Sequence, residues 1–135
     1  YDAIDVEAAR SRRIAVTNTP DVLNDAVAEL TLALMLALCR RIVPADRHVR
    51  EGRWTGFGNY PLTDELTGKT VGILGLGRIG KEIARRCQVM KMRVVYHGRH
   101  EQPFEPYPFH ADLVDASSGQ MFATIHIPFV ANPDD

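Results

Sequence analysis

The pattern of apolar and polar residues changes near Gly68, and it predicts different structures on the two sides. Before it, residues from Ala26 to about Val43 are apolar on nearly every helical face, and Asn24 or Asp25 is placed to cap the first turn. After it, short apolar runs alternate with amphipathic stretches, as parallel strands joined by helices do. The chain is therefore predicted to be α/β.

The N-terminal part is predicted to hold short elements around the apolar helix. Residues 1–12 are predicted as a loop or short helix, and residues 13–17 as a strand that is rich in β-branched side chains. A further helix begins at Pro44 and ends at Gly52. Residues 53–67 show no periodicity, which is typical of an arm or a functional loop.

The C-terminal part is predicted to be a Rossmann-type, doubly wound parallel sheet that is incomplete, with strand order 3-2-1-4. Such spacing of strands and helices gives right-handed parallel crossovers. The strands are predicted at residues 69–74, 92–97, 108–110 and 122–127, and the helices at 78–90 and 112–118.

A glycine motif, Gly75-Leu76-Gly77-Arg78-Ile79-Gly80, lies between the first of these strands and the helix that follows. The pattern alone is weak, but a buried strand before it and a helix beginning inside it are typical of a dinucleotide site. The first glycine permits the turn, the second lets a diphosphate approach the backbone, and the third lets the helix pack on the sheet. We expect the diphosphate at the helix N-terminus, with a contact from Arg78.

The end of the second strand predicts which dinucleotide binds. NAD sites place an acidic residue about 20 residues after the motif begins, whereas NADP sites place an arginine nearby. Here His97, Arg99 and His100 precede the first carboxylate, Glu101. We expect NADP(H) to be preferred, with NAD possible, Arg99 as the main ligand of the 2′-phosphate, and His97 or His100 assisting.

Composition excludes several other function classes. The 135 residues carry a formal net charge of −1, so neither nucleic acid nor an anionic membrane is an expected partner. The apolar helix contains Glu29 and is too short to cross a bilayer, which takes about 20 residues. Cys39 and Cys87 lie in apolar helical patterns without metal-ligand spacing, and we expect reduced thiols in a cytoplasmic protein. No metal site and no Ser/His/Asp arrangement is predicted.

These residues together resemble the D-isomer-specific 2-hydroxyacid dehydrogenases, and most of all their glyoxylate/hydroxypyruvate reductase branch. The resemblance covers residues 1 to about 100. It is carried by residues 1–5, 16–23, 28–30, 50–54 and 66–73, and by the glycine motif.

The resemblance implies a domain organisation. Residues 1–24 would be a remnant of the substrate domain, residues 25–67 the interdomain helix and a dimerisation arm, and residues 68–135 an incomplete NAD(P)-binding domain. It also places Pro128 beside the cofactor and implies a homodimer that acts on a small 2-keto acid.

The resemblance places the family's catalytic Arg, Glu and His after the fourth strand, and we expect the chain to be an internal piece of a longer enzyme. No residue of this sequence is therefore predicted to be catalytic. Two alternatives remain: a dinucleotide-binding regulatory protein like the corepressors of the same family, or an inactive truncated product.

We predict that this polypeptide by itself does not reduce glyoxylate or hydroxypyruvate, because hydride transfer to a 2-keto acid needs an acid–base group and a cation for the carboxylate. Consumption of NADPH above that of a protein-free control would contradict this.

Overall fold

The computed structural model of the chain describes residues 3–56 and 60–111. The described part contains four helices and two strands. They are α1 (Val6–Ser11), α2 (Asn24–Cys39), α3 (Ile42–Arg50), β1 (Thr70–Leu74), α4 (Arg78–Val89) and β2 (Arg93–His97).

β1 and β2 form a parallel pair, as predicted. The register runs from Thr70 opposite Arg93 to Leu74 opposite His97, so the two strands end level with each other. The crossover that a parallel pair requires is α4, whose residues Ile83, Ala84 and Cys87 are buried in the core. The carboxyl ends of both strands therefore meet at one edge of the sheet. The core comprises Ala28, Met35, Leu66, Val71, Ile73, Leu76, Ile83, Ala84, Cys87, Met92, Val94, Tyr96 and Tyr107.

The third predicted strand is present as a single parallel bridge between Tyr96 and Phe109. Tyr96 N donates to Pro108 O over 3.0 Å, and His110 N donates to Tyr96 O over 2.9 Å. Within a parallel ladder alternate residues bond to opposite neighbours, so this bridge lies on the edge of β2 away from β1. Residues 108–110 therefore lie where the predicted order places the third strand, but the sheet of the described residues has two strands, β1 and β2. The predicted helix 112–118 and fourth strand 122–127 lie outside the described residues.

The predicted cap of α2 was wrong. Leu23 precedes the helix, and within the described chain no side chain caps its first turn. Asn24 instead donates from Nδ2 to Asp21 Oδ1 over 3.0 Å. Its side chain therefore stabilises the segment before the helix and does not bond the backbone amide groups of the first helical turn. Asp25 in turn bonds Arg86 of α4 over 2.5 Å, and with Glu82 it raises the pKa of Arg86.

The α2 helix also ends earlier than the apolar pattern indicated, at Cys39 rather than near Val43. Arg41 adopts a left-handed φ of 48°, which breaks the helix and starts α3. Pro44 lies in the first turn of α3, and Gly52 follows its end with a φ of 67°, as the sequence predicts.

One face of the apolar helix α2 is covered within the described residues. Ala28, Thr31 and Met35 are buried in the contact with α4. On another face Leu30, Leu34 and Leu38 are 60%, 59% and 75% exposed. The described residues of one chain therefore cover only part of the apolar surface of α2.

Residues 13–17 do not form the predicted strand. The short helix α1, capped by Asp5, ends in a turn where Arg13 has a left-handed φ of 57°. The following residues are irregular and have no partner strand within residues 3–56 and 60–111. A strand is stabilised by its neighbours, so β propensity without a partner does not suffice. Residues 53–56 and 60–66 are also irregular, in agreement with the prediction for this segment. In the described ranges no helix has the length and apolar character needed to span a membrane.

We predict that Cys87 resists alkylation in the folded protein. Its side chain is inaccessible, and burial raises the pKa of its thiol from 9.0 to about 11, so the reactive thiolate is scarce. Iodoacetamide at pH 8 is expected to modify Cys39, which is half-buried, and to leave Cys87 unmodified until denaturant is added. Peptide mass spectrometry distinguishes the two sites, and rapid native labelling of Cys87 would contradict the buried position.

The same shift gives a pH dependence. The folded state holds the Cys87 proton more tightly than the unfolded state, so this stabilisation is complete below pH 9 and declines as the pH rises toward 11. A Cys87→Ala variant and the original chain can be compared by denaturant unfolding at pH 8 and pH 10. The free energy of unfolding is expected to fall less between these pH values in the variant, because the contribution of the Cys87 thiol is gone. An identical decrease in both proteins would contradict the assignment.

Candidate functional site

The glycine motif forms the corner between the end of β1 and the start of α4, as predicted. Gly75 leaves the strand with a φ of 91°, a conformation that residues with a Cβ rarely adopt. Gly77 precedes α4 with extended backbone, and the helix begins at Arg78. The amide groups of the first helical turn lack partners within the helix, and together with the positive end of the helix dipole they favour an anion at this corner.

Gly80 allows α4 to pack directly on this corner. A Cβ at Gly80 would lie 2.3 Å from the carbonyl oxygen of Gly75 and 3.4 Å from Ile73 Cγ2. A Cβ at Gly77 would meet no atom of the described chain within 4 Å. The third glycine is therefore needed for helix packing, whereas the second leaves open space beside the backbone where a diphosphate could approach.

Leu76 and Ile79 contribute packing rather than polar groups. Leu76 is 2% exposed and belongs to the core, and Ile79 is partly buried against the same cluster. The Leu76 side chain is thus out of reach of a ligand, which could meet only its backbone atoms.

Arg78 lies at the entrance of the corner. Its Nη1 is 3.2 Å from Asp21 Oδ2, in the segment that leads into α2. Both side chains are about half exposed, and such pairs contribute little stability. The guanidinium can therefore leave Asp21 for an anionic ligand at small cost. The predicted diphosphate contact of Arg78 stays a prediction.

The structure brings the end of β2 against the glycine corner. The carbonyl oxygen of His97 accepts a hydrogen bond from Gly75 N over 2.8 Å. The His97 ring donates from Nδ1 to His110 O over 2.8 Å and stacks on Phe109 with 6.3 Å between ring centroids. Arg99 is exposed in the loop that follows. His97 thus has a structural role in joining the second and third strands. Pro128 lies outside the described residues.

Gln102 contacts the glycine motif, which the sequence did not indicate. Its Nε2 donates to the carbonyl oxygen of Leu76 over 2.9 Å, and its backbone N donates to the Tyr96 hydroxyl over 2.7 Å. A glutamine five residues beyond a strand carries no motif, so only the tertiary structure could identify it.

The remainder of this loop packs on α4. Lys81 Nζ is 2.9 Å from Glu105 Oε1, and the Tyr107 hydroxyl donates to Gln88 Oε1 over 3.1 Å. Burial, with a smaller contribution from Glu105, raises the pKa of Tyr107, so this hydroxyl stays protonated as a donor.

The chemistry available here is the binding of an anion by backbone groups and cations. Within residues 3–56 and 60–111 no group of three His, Cys, Asp or Glu residues is placed to hold a metal ion. A separate cavity of about 540 Å³, lined by α1 and residues 14–17, shares no lining residue with the glycine motif.

Several known proteins are similar to this chain. Glyoxylate reductase of Thermococcus litoralis is 43% identical over 136 residues, covering 95% of this chain and 41% of that protein. Glyoxylate/hydroxypyruvate reductase A of Arabidopsis thaliana is 40% identical over 127 residues, covering 94% and 40%. The chain therefore spans about 40% of the length of these curated relatives.

Solved structures give the same result. The TT0316 protein of Thermus thermophilus superposes with a TM-score of 0.77 at 48% identity, covering 82% of this chain and 35% of that one. The NADPH-dependent glyoxylate/hydroxypyruvate reductase of Sinorhizobium meliloti superposes with a TM-score of 0.75 at 42% identity, covering 82% and 36%.

We predict that Gly80→Ala destabilises the chain and that Gly77→Ala does not do so to the same extent. The added methyl group at position 80 meets the Gly75 backbone, which cannot move freely, so a loss of about 2–3 kcal/mol is expected from overpacking. At position 77 the methyl group enters open space, and the loss of a good N-cap residue costs about 1 kcal/mol at most. Thermal and urea unfolding measure both, and equal stabilities would contradict the close packing of α4.

The family profile of the D-isomer specific 2-hydroxyacid dehydrogenase NAD-binding domain matches residues 32–133, three quarters of the sequence. The match includes the strand, the glycine corner and the helix described above. This chain belongs to the D-isomer-specific 2-hydroxyacid dehydrogenase family and carries part of its NAD-binding domain.

Proposed function

We propose that the glycine corner binds NADP(H) in preference to NAD(H), within an oxidoreductase that acts on a 2-keto acid such as glyoxylate or hydroxypyruvate. This proposal rests on the different surroundings of Gly77 and Gly80. Gly80 holds the helix start close to the strand, and Gly77 leaves the adjacent backbone open. This arrangement fits a diphosphate, for which the backbone must be both pre-organised and unobstructed.

In this proposal the diphosphate lies against the first turn of α4. The backbone of residues 76–79 supplies hydrogen-bond donors, and Arg78 adds a charge after it leaves Asp21. The nicotinamide ring, when bound, supplies the hydride. The residues of this chain hold and orient the cofactor.

The preference for NADP(H) rests on charge at the end of β2. Arg99 is exposed beyond the strand end that lies level with the glycine corner, and the nearest strand position, His97, is not acidic. A guanidinium binds a phosphate through charge-assisted hydrogen bonds, whereas a carboxylate there would repel it. The Sinorhizobium meliloti relative is described as NADPH-dependent, and one of its structures holds NADP and malonate. This supports the same cofactor here.

The reduction of a 2-keto acid is proposed from the relatives. Several of them are glyoxylate or glyoxylate/hydroxypyruvate reductases, and the chain spans about 40% of their length. The exposed leucines of α2 agree with a helix that contacts another body of protein in the complete enzyme, either a substrate domain or a second subunit. We propose a homodimer on this basis and place residues 1–24 with the substrate domain.

We predict that Arg99→Ala weakens NADPH binding and spares NADH. Loss of a charge-assisted contact to the 2′-phosphate is expected to raise the Kd for NADPH about tenfold to a hundredfold. The Kd for NADH is expected to change less than about twofold, because NADH lacks this phosphate. Fluorescence titration of the 135-residue chain measures both constants.

Two variants serve as controls for this measurement. Arg93→Ala removes a similar exposed charge from the opposite end of β2 and is expected to leave both constants unchanged. Gly77→Ala is expected to weaken both cofactors, because its methyl group occupies the space of the shared diphosphate. Equal or tighter binding of NADH by the unmodified chain would contradict the NADP(H) preference, and unchanged binding in Gly77→Ala would contradict the site itself.

A further inference from the structure

Gln102 bonds the loop after β2 to the glycine motif. We call residues 98–102 the Gln102 strap. At its end the Gln102 backbone donates to the Tyr96 hydroxyl, and its side chain donates to the carbonyl oxygen of Leu76. One residue therefore joins the last buried side chain of β2 to the second residue of the glycine motif.

Both bonds involve groups that solvent cannot easily satisfy. Tyr96 is 2% exposed, and Gln102 is partly buried. An unsatisfied buried polar group costs more than a net hydrogen bond contributes, so loss of either bond is costly and position 102 is held in place. The strap is thus fixed at both ends, by the Tyr96–His97 end of β2 and by Gln102.

This fixation limits where Arg99 can lie. Arg99 precedes Gln102 by three positions, and a fully extended chain reaches about 3.3–3.6 Å per residue. The Arg99 backbone therefore stays within about 10–11 Å of position 102. Downstream, the pairs Lys81–Glu105 and Tyr107–Gln88 hold the following residues on α4. Both of these contacts lie beyond the end of the strap, so within residues 98–102 the bonds of Gln102 are the ones that tie the loop to the glycine motif.

We propose that Gln102 is a positioning residue for cofactor selection: by bonding Leu76 and Tyr96 it orders the strap before ligand binds and presents Arg99 at a set distance from the diphosphate corner. This inference rests on the proposed function. The two dinucleotides share the diphosphate and differ at the 2′-phosphate, so the cost of ordering the strap falls on NADP(H) alone. A pre-ordered strap therefore raises the discrimination between the two cofactors.

The test uses Gln102→Met, which keeps the length of the side chain and removes its donor. Tyr96→Phe is the second variant. It removes the hydroxyl that accepts a hydrogen bond from the backbone N of Gln102, and it leaves residue 102 unchanged. The matched control is Gln88→Met, which makes the same chemical change at the far anchor on α4. All are made in the 135-residue chain, and circular dichroism melts establish that each is folded.

Two measurements are made on each variant. The first is the Kd for NADPH and for NADH. In Gln102→Met and Tyr96→Phe the Kd for NADPH is expected to rise about fivefold to tenfold and that for NADH about twofold or less, since each variant loses about one net hydrogen bond of ordering. The second needs no cofactor: limited trypsin cleavage after Arg99, identified by mass spectrometry, is expected to become several-fold faster in both variants and to stay unchanged in Gln88→Met.

The possible outcomes separate this inference from the proposed function. An unmodified chain that binds the two cofactors equally contradicts the proposed preference and the selection role together. A preference that persists unchanged in Gln102→Met and Tyr96→Phe overturns the inference alone. Unchanged trypsin cleavage in both variants also overturns it, because the strap would then be ordered without Gln102. Equal weakening of NADPH and NADH indicates a merely structural effect and overturns the selection role.

Discussion

The close approach of α4 to the end of β1 is the constraint on which the rest of the structure depends. A side chain at Gly80 would overlap the backbone of Gly75, so the helix can reach the strand end only because Gly80 lacks a Cβ. Gly75 is needed for a different reason, which is its φ of 91°. This contact sets the direction of α4, which carries Ile83 and Cys87 into the core and brings its free amide groups to the sheet edge. The fold and the candidate anion site therefore have the same physical cause.

The strands and the helix that show a clear hydrophobic pattern could be predicted from the sequence. β1, α4 and β2 were predicted within one or two residues, because continuous apolar runs and amphipathic spacing express burial directly. The glycine corner could be predicted because its backbone conformation and close packing require glycine at fixed positions of the sequence. The strand at 13–17 was wrong because its propensity needs a partner strand, which the described residues do not provide.

Contacts between distant residues could not be predicted. The Asp21–Asn24 bond replaced the expected helix cap, since two polar side chains near a helix start can bond each other as well as the backbone. Gln102 and the Asp21–Arg78 pair belong to no sequence pattern, and they join residues 26 and 57 positions apart. The residues that refine the candidate site are thus the ones that only the folded chain brings together.

The hydrogen bond between the His97 ring and the His110 carbonyl fixes the tautomer of this histidine. A carbonyl oxygen only accepts, so Nδ1 carries a proton and donates it to this bond. Of the two ring nitrogens, only Nε2 is then left for a ligand. A phosphate bound beside the end of β2 would therefore meet at most one nitrogen of His97, whereas the guanidinium of Arg99 can offer several donors in one plane.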